Sequence, residues 1–284
     1  MKRFLCACIV ALTGLALAQP TAASTLEKVR KSGTFTIGFR LDARPFSFLD
    51  ADGQAAGYAV DICRRIAVAL RGNLGLADMN VEYVPVKAAN RIEMLESDEI
   101  DIECGSSTRT LRRQERVDFT LLTFVTGAEM LVRVDSGIGD IPDLAGRKVG
   151  VLEGTTTERG LRNALEKRFI DAQVVTVERH DYGLASLEVG DIDAYFADRI
   201  LLLGLAGRAM DPSKLQLSGR LYSIEPYALM VRRGDDDLRL IADRTIASLY
   251  RSGQIKGIAG KWFGGAKAGN LLKALYLLQA IPEQ

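Results

Sequence analysis

Leu95-Glu96-Ser97-Asp98-Glu99-Ile100-Asp101 returns 92 residues later as Leu187-Glu188-Val189-Gly190-Asp191-Ile192-Asp193. Each copy reads as the end of a helix, a turn, and the start of a strand. A helix–turn–strand unit met twice at wide spacing indicates two similar lobes. Around it, apolar or β-branched runs stand at Thr34–Phe39, Val81–Val86, Ile100–Cys104, Val149–Leu152, Val174–Val177 and Ala194–Ala197. Helical periodicity fills the intervals, at Val60–Leu70, Arg91–Leu95, Glu158–Leu165 and Leu184–Leu187. Strands alternating with helices predict α/β lobes on mostly parallel sheets flanked by helices.

The lobes are not expected to be consecutive. Glu129–Val134 and Tyr227–Arg232 are extended-looking segments that each run into charged, turn-rich sequence. Read as two crossing strands, they make residues 133–229 an inserted second lobe. Residues 24–132 plus 230–284 then form a discontinuous first lobe. Ahead of both, Lys2 and Arg3 precede an apolar run from Phe4 to Ala18, with small residues following as far as Ala23. This three-part layout is that of a secretory signal peptide, so residues 1–23 are expected to be removed on export to the periplasm, with Ala18 the competing cleavage position.

At 284 residues the chain can bury sizeable cores without metal. Its apolar share of 48% and charged share of 26% exclude intrinsic disorder. A formal charge of +1 offers no basic field for nucleic acid. Once the signal is removed, Cys63 and Cys104 remain. They form either one disulfide or two buried thiols, and the spacing leaves both open. With His180 as the single histidine and no Cys-x-x-Cys pair, no zinc site of familiar spacing exists, and no cofactor is expected.

Ligands of open α/β sheets sit beyond the carboxyl ends of the strands. Taken in order, those ends carry Arg40, then Arg91 opening a helix, then Ser106 and Thr108 with Arg113 close behind. The second half adds Thr155 and Thr156 at a helix start, His180, and Asp198. Three guanidinium forks suit carboxylates, and free N–H groups at a helix start suit another anion. Asp198 is the single acid in this set and suits an ammonium. Two negative groups and one positive group describe a dicarboxylic amino acid. Singly, Thr155–Glu158 reads as a helix cap, the arginines as solvated surface, and Asp198 as an N-cap; the convergence in both halves carries the site.

The runs Gly38-Phe39-Arg40, Pro45-Phe46-Ser47 and Gly57-Tyr58 resemble the opening of periplasmic amino-acid-binding proteins of ABC importers. Asn90-Arg91-Ile92, Glu103-Cys104-Gly105-Ser106 and Gly154-Thr155-Thr156 are similar to the glutamate/aspartate-binding branch of that family. The resemblance covers residues 25 to 264. It implies a type II periplasmic-binding-protein fold, two lobes joined by two crossing strands, and a monomer. It also implies that Arg113 holds the ligand's α-carboxylate, with Ser106, Thr108 and Thr156 beside it, and that Asp198 takes the ammonium. Arg40, Arg91 and His180 would then surround the side-chain carboxylate. One departure stands out: Ala88 occupies the place of a serine usual in the branch.

The function so implied is capture of glutamate or aspartate and delivery to the membrane subunits of an ABC importer, without catalysis. The competing reading is an exported cyclohexadienyl (arogenate/prephenate) dehydratase on the same scaffold. That chemistry needs a spare general acid in the cleft, which these strand ends do not supply. His180, if flanked by Arg40 and Arg91, is expected to take up a proton when a carboxylate binds, so that affinity falls as pH rises.

Overall fold

A computed structural model describes residues 24–264 and 269–284. The signal-peptide reading of residues 1–23 lies outside the described residues. The chain starts with α1 (Thr25–Ser32) and β1 (Thr34–Arg40), then the short strands β2 (Asp42–Ala43), β3 (Ser47–Leu49) and β4 (Ala55–Ala56). It continues through α2 (Tyr58–Leu74), β5 (Asn80–Val86), α3 (Arg91–Glu96), β6 (Ile102–Glu103), α4 (Leu111–Gln114) and β7 (Val117–Thr126). The middle of the chain supplies β8 (Ala128–Arg133), β9 (Lys148–Leu152), α5 (Thr156–Lys167), β10 (Gln173–Val177), α6 (His180–Val189), β11 (Ala194–Asp198), α7 (Arg199–Ala206) and β12 (Leu215–Leu217). Then β13 (Glu225–Arg232) leads into α8 (Asp236–Arg251), α9 (Ile255–Phe263) and α10 (Asn270–Leu278).

Two five-stranded sheets result, in the orders β5-β1-β6-β13-β7 and β10-β9-β11-β8-β12, and β2, β3 and β4 form a third, small antiparallel sheet. In each five-stranded sheet, three parallel strands come first, and the crossing strand enters antiparallel. The alternating pattern of the sequence therefore holds, with its parallel core in both halves.

The crossing points need correction. All of β8 pairs within the second sheet and all of β13 within the first. The chain passes between sheets at Gly127 and again between Leu217 and Glu225, earlier on both passes than the boundaries at 132/133 and 229/230. A strand looks the same in sequence whichever sheet it joins, so only pairing locates the passage. Gly127 is required there, because a Cβ would stand 2.3 Å from the Ser223 carbonyl oxygen.

The internal repeat has a structural counterpart. The Thr36 N–H donates to the Asp101 carboxylate at 2.8 Å, and the Asp101 N–H returns a bond to the Thr36 carbonyl. Lys148 and Asp193 make the same exchange in the second half, at 2.9 and 2.8 Å. Arg232, ending β13, donates to the Ile100 carbonyl, and Arg133, ending β8, to the Ile192 carbonyl. One aspartate at each helix–strand turn, buried at Asp101 and half-buried at Asp193, thus fixes the start of a strand that aims residues at the cleft.

The first half holds the larger core, where Phe46 meets Tyr58, Phe124, Tyr227 and Phe263 edge-on or tilted. Cys63 on α2 and Cys104 after β6 are joined in a disulfide in this core, which decides between the two readings left open. The C-terminal α10 packs on the same half, with Tyr276 stacked on Tyr250 and Gln279 accepting the Leu122 N–H. Among the described residues, no helix is long and apolar enough to cross a membrane.

Candidate ligand-binding site

A small, narrow cavity lies between the two sheets, and all nine residues read from the strand ends line it. Arg40 ends β1, Arg91 opens α3, Ser106 and Thr108 follow β6, and Arg113 sits on α4. From the other side come Thr155 and Thr156 at the start of α5, His180 as the first residue of α6, and Asp198 ending β11. Strand direction causes this convergence: the parallel strands of both sheets end toward the same cleft.

Arg91 decides the character of the cavity. Its side chain is buried, and its guanidinium makes no hydrogen bond or ion pair among the described residues; Nε is without any partner. Burial, assisted by Arg113 and Arg40 and opposed by Glu103, pushes it down to about 9, so it stays charged at neutral pH. A buried guanidinium without a hydrogen-bonded partner is costly and is relieved by an anion at that point.

Arg113 is better held. It donates to the Thr108 carbonyl at 2.8 Å and reaches across the cleft to the Gly154 carbonyl at 3.3 Å. Ser106 presents a hydroxyl with no hydrogen bond among the described residues. Thr155 has less to offer a ligand than the sequence suggests: its hydroxyl donates to the Leu152 carbonyl and caps α5 by accepting the Glu158 N–H.

Asp198 supplies the opposite sign. Its Oδ2 accepts the Tyr227 hydroxyl, while Oδ1 is buried without a partner. Burial, with Glu225 adding to it, raises its carboxyl to about 7 against Tyr227, Arg113 and Arg91. An ammonium at Oδ1 would satisfy the atom and restore the carboxylate.

His180 is buried, with Nδ1 2.9 Å from the Tyr195 hydroxyl. Burial pushes the imidazole down to about 4, opposed by Asp42 and assisted by Arg40. It is therefore neutral at pH 7, and the expected proton uptake at this residue is not supported. The tautomer in which Tyr195 donates to Nδ1 is the one that leaves a proton on Nε2 to donate.

Taken together, unpartnered groups of both signs meet between two sheets joined by two crossings, the architecture of a closing receptor. The model of bacterial extracellular solute-binding proteins, family 3, matches residues 35–265. The chain belongs to this family. The glutamate/aspartate import solute-binding protein of Salmonella typhimurium is 34% identical over 253 residues, covering 88% of this chain and 84% of that one. The L-glutamate/L-aspartate-binding protein of Pseudomonas aeruginosa is 32% identical over 258 residues, 90% of this chain and 85% of that one. Among solved structures, a mutant of ArgBP from T. maritima matches with a TM-score of 0.75 at 26% identity, over 84% of this chain and 99% of that one. The fold is thus the type II periplasmic-binding fold, and the chain is a solute-binding protein rather than an enzyme.

This solute-binding protein carries more acid at its cleft than sequence reasoning found. Asp198 was the single acid of the strand ends; the structure adds Asp42, Glu103 and Glu225, all buried. Each is engaged. Asp42 pairs with Arg40 at 2.8 Å, and Glu103 accepts the Ser107 hydroxyl at 2.8 Å. Glu225 accepts the hydroxyls of Thr108, Thr156 and Ser223 at 2.6 to 2.7 Å. Thr108 and Thr156 belong to opposite halves, so Glu225 draws the cleft together. Nothing local marks Glu225 as a site residue, because its role depends on where β13 crosses. Asp42, two positions after Arg40, is the one acid that spacing could have flagged. Ala88 is buried where Gly154 of the other half approaches, with its carbonyl oxygen 3.2 Å from where a Gly154 Cβ would stand.

Proposed function

We propose that this protein captures L-glutamate or L-aspartate in the cleft and presents it, as a monomer in the periplasm, to the membrane subunits of an ABC importer. The observation that carries the reading is the unpaired Arg91 guanidinium set in one cavity with the unpaired Asp198 Oδ1. A ligand that answers both, with a second carboxylate for Arg113, has two negative groups and one positive group. Arg113 holds the α-carboxylate with Ser106, Thr108 and Thr156 around it, and Asp198 takes the ammonium. Arg40, Arg91 and the His180 Nε2–H take the side-chain carboxylate. Binding across both halves favours the closed form, because only that form makes both sets of contacts. The names of the relatives from Salmonella typhimurium and Pseudomonas aeruginosa support the same ligand class.

A thermal-shift screen of the ligand-stripped protein against the twenty amino acids tests this. A ligand that binds only the native state adds about 2.7 kcal/mol at a hundredfold excess over Kd. Glutamate, aspartate or both should raise Tm, and lysine and leucine should not. A rise with basic or apolar amino acids alone would sink the reading. Phenylpyruvate or phenylalanine formed from prephenate or arogenate would revive the dehydratase alternative.

A further inference from the structure

Asp42 bridges the two halves of the molecule through its own side chain. It lies on β2, buried against the first half of the molecule. Its Oδ1 receives Nη2 of Arg40 at 2.8 Å, and its Oδ2 receives the backbone N–H of His180 at 2.7 Å. His180 opens α6 in the second half, and Arg179 at the N-cap position gives that helix no side-chain cap. First-turn N–H groups of a helix need an acceptor from elsewhere. Here the acceptor comes across the cleft, and it is a carboxylate already paired with a ligand-facing arginine.

A side-chain carboxylate of the ligand, placed among Arg40, Arg91 and His180, would bridge the same two halves. We infer that Asp42 is a built-in stand-in for that carboxylate: it tethers α6 to the first half when the cleft is empty and occupies part of the Arg40 fork. This rests on the proposed assignment of the Arg40–Arg91–His180 end to an acidic side chain. Two consequences follow. The tether lowers the cost of closing for any ligand, charged or not. The occupied fork weakens Arg40 as a reader of charge, so the preference for glutamate over glutamine falls mainly to Arg91. Asp42 is thus a specificity-setting and positioning residue.

Two variants separate these effects. Asp42→Asn keeps an oxygen for the His180 N–H and removes the charge; Asp42→Ser removes the bridge. In the ligand-free protein, hydrogen exchange at the His180 amide should be slow in the wild type. It should be faster by about tenfold or more in Asp42→Ser, as expected when a buried bond is lost, and little changed in Asp42→Asn. In both variants the ratio of glutamate to glutamine affinity should rise, by roughly tenfold, because a charge-assisted bond to Arg40 becomes available to the ligand. Unchanged His180 exchange in Asp42→Ser, or an unchanged ratio in Asp42→Asn, overturns the inference. Should the wild type bind neither amino acid, the proposed ligand class fails, and the exchange measurement alone decides for or against the tether. A structural acid without this role would alter stability and leave the ratio where it was.

Discussion

Asp198 is the residue whose charge the protein holds near balance at neutral pH. Burial and Glu225 raise it to about 7, against an ordinary value of 3.8. An ammonium beside it requires the carboxylate, so binding releases a proton below that value. Affinity for an amino-acid ligand should therefore rise as pH increases from 6 to 8, by at most about tenfold per unit at the acid end. Calorimetry in two buffers of different ionisation heat should read the released proton, and Asp198→Asn should abolish both the slope and the proton. The ligand-free protein shows the matching sign. Between about pH 4 and 7 its native state holds a proton that the unfolded chain has lost, so its stability from this group declines as pH rises through that window. His180, pushed down to about 4, contributes nothing to either effect near neutrality. Affinity that falls with pH would restore the imidazole as the titrating group. Strand-end position made Asp198 legible as an acid of the cleft. Its titration depends on Glu225 and Tyr227, which reach it only through the fold.

Among the elements, α2 and the strand end at Cys104 are tied across a span of 41 residues by the Cys63–Cys104 disulfide. Closing a loop of that length in the unfolded chain corresponds to about 4 kcal/mol by the chain-entropy relation. Urea midpoints with and without reductant should differ accordingly, and Cys63→Ala should match the reduced wild type. Coincident midpoints would show that the bridge does not constrain the unfolded state. Since Cys104 lies two residues before Ser106, reduction should also loosen the loop that lines the cavity. The elements themselves were readable because their periods differ. Val60–Leu70 repeats an apolar face every three to four residues and became the centre of α2, while Val174–Val177 is a short β-branched run and became most of β10. The pairing of the cysteines was not readable, because a residue on a helix and one past a strand share no local pattern.

At the scale of the whole molecule, the two halves come together at Gly154. Its φ is +74°, and a Cβ there would stand 2.8 Å from the Ala89 Cα of the other half. The backbone strain acts in the open and closed forms alike, whereas the clash acts only in the closed form. Gly154→Ala should thus lose about 1–2 kcal/mol of ligand-free stability from the left-handed backbone. Its ligand affinity should fall further, by about tenfold or more, since closure against Ala89 is obstructed. Denaturant unfolding and calorimetry on one preparation separate the two losses. Affinity equal to wild type would mean that ligand is held without these loops coming together.

By itself the sequence determined the alternation of strand and helix, the doubling into two similar halves and the cleft residues at the strand ends. Those features follow from local periodicity and from one repeated turn whose aspartates, Asp101 and Asp193, make the same backbone exchange. The tertiary structure alone decided where the chain crosses between sheets, which cysteine state is adopted, and which acids surround the site. Asp42, Glu103 and Glu225 lie far from Asp198 along the chain and act through contacts set by the packing of other elements. Charge in a buried cleft depends on such neighbours through distance and desolvation, and neither quantity is written in the order of residues.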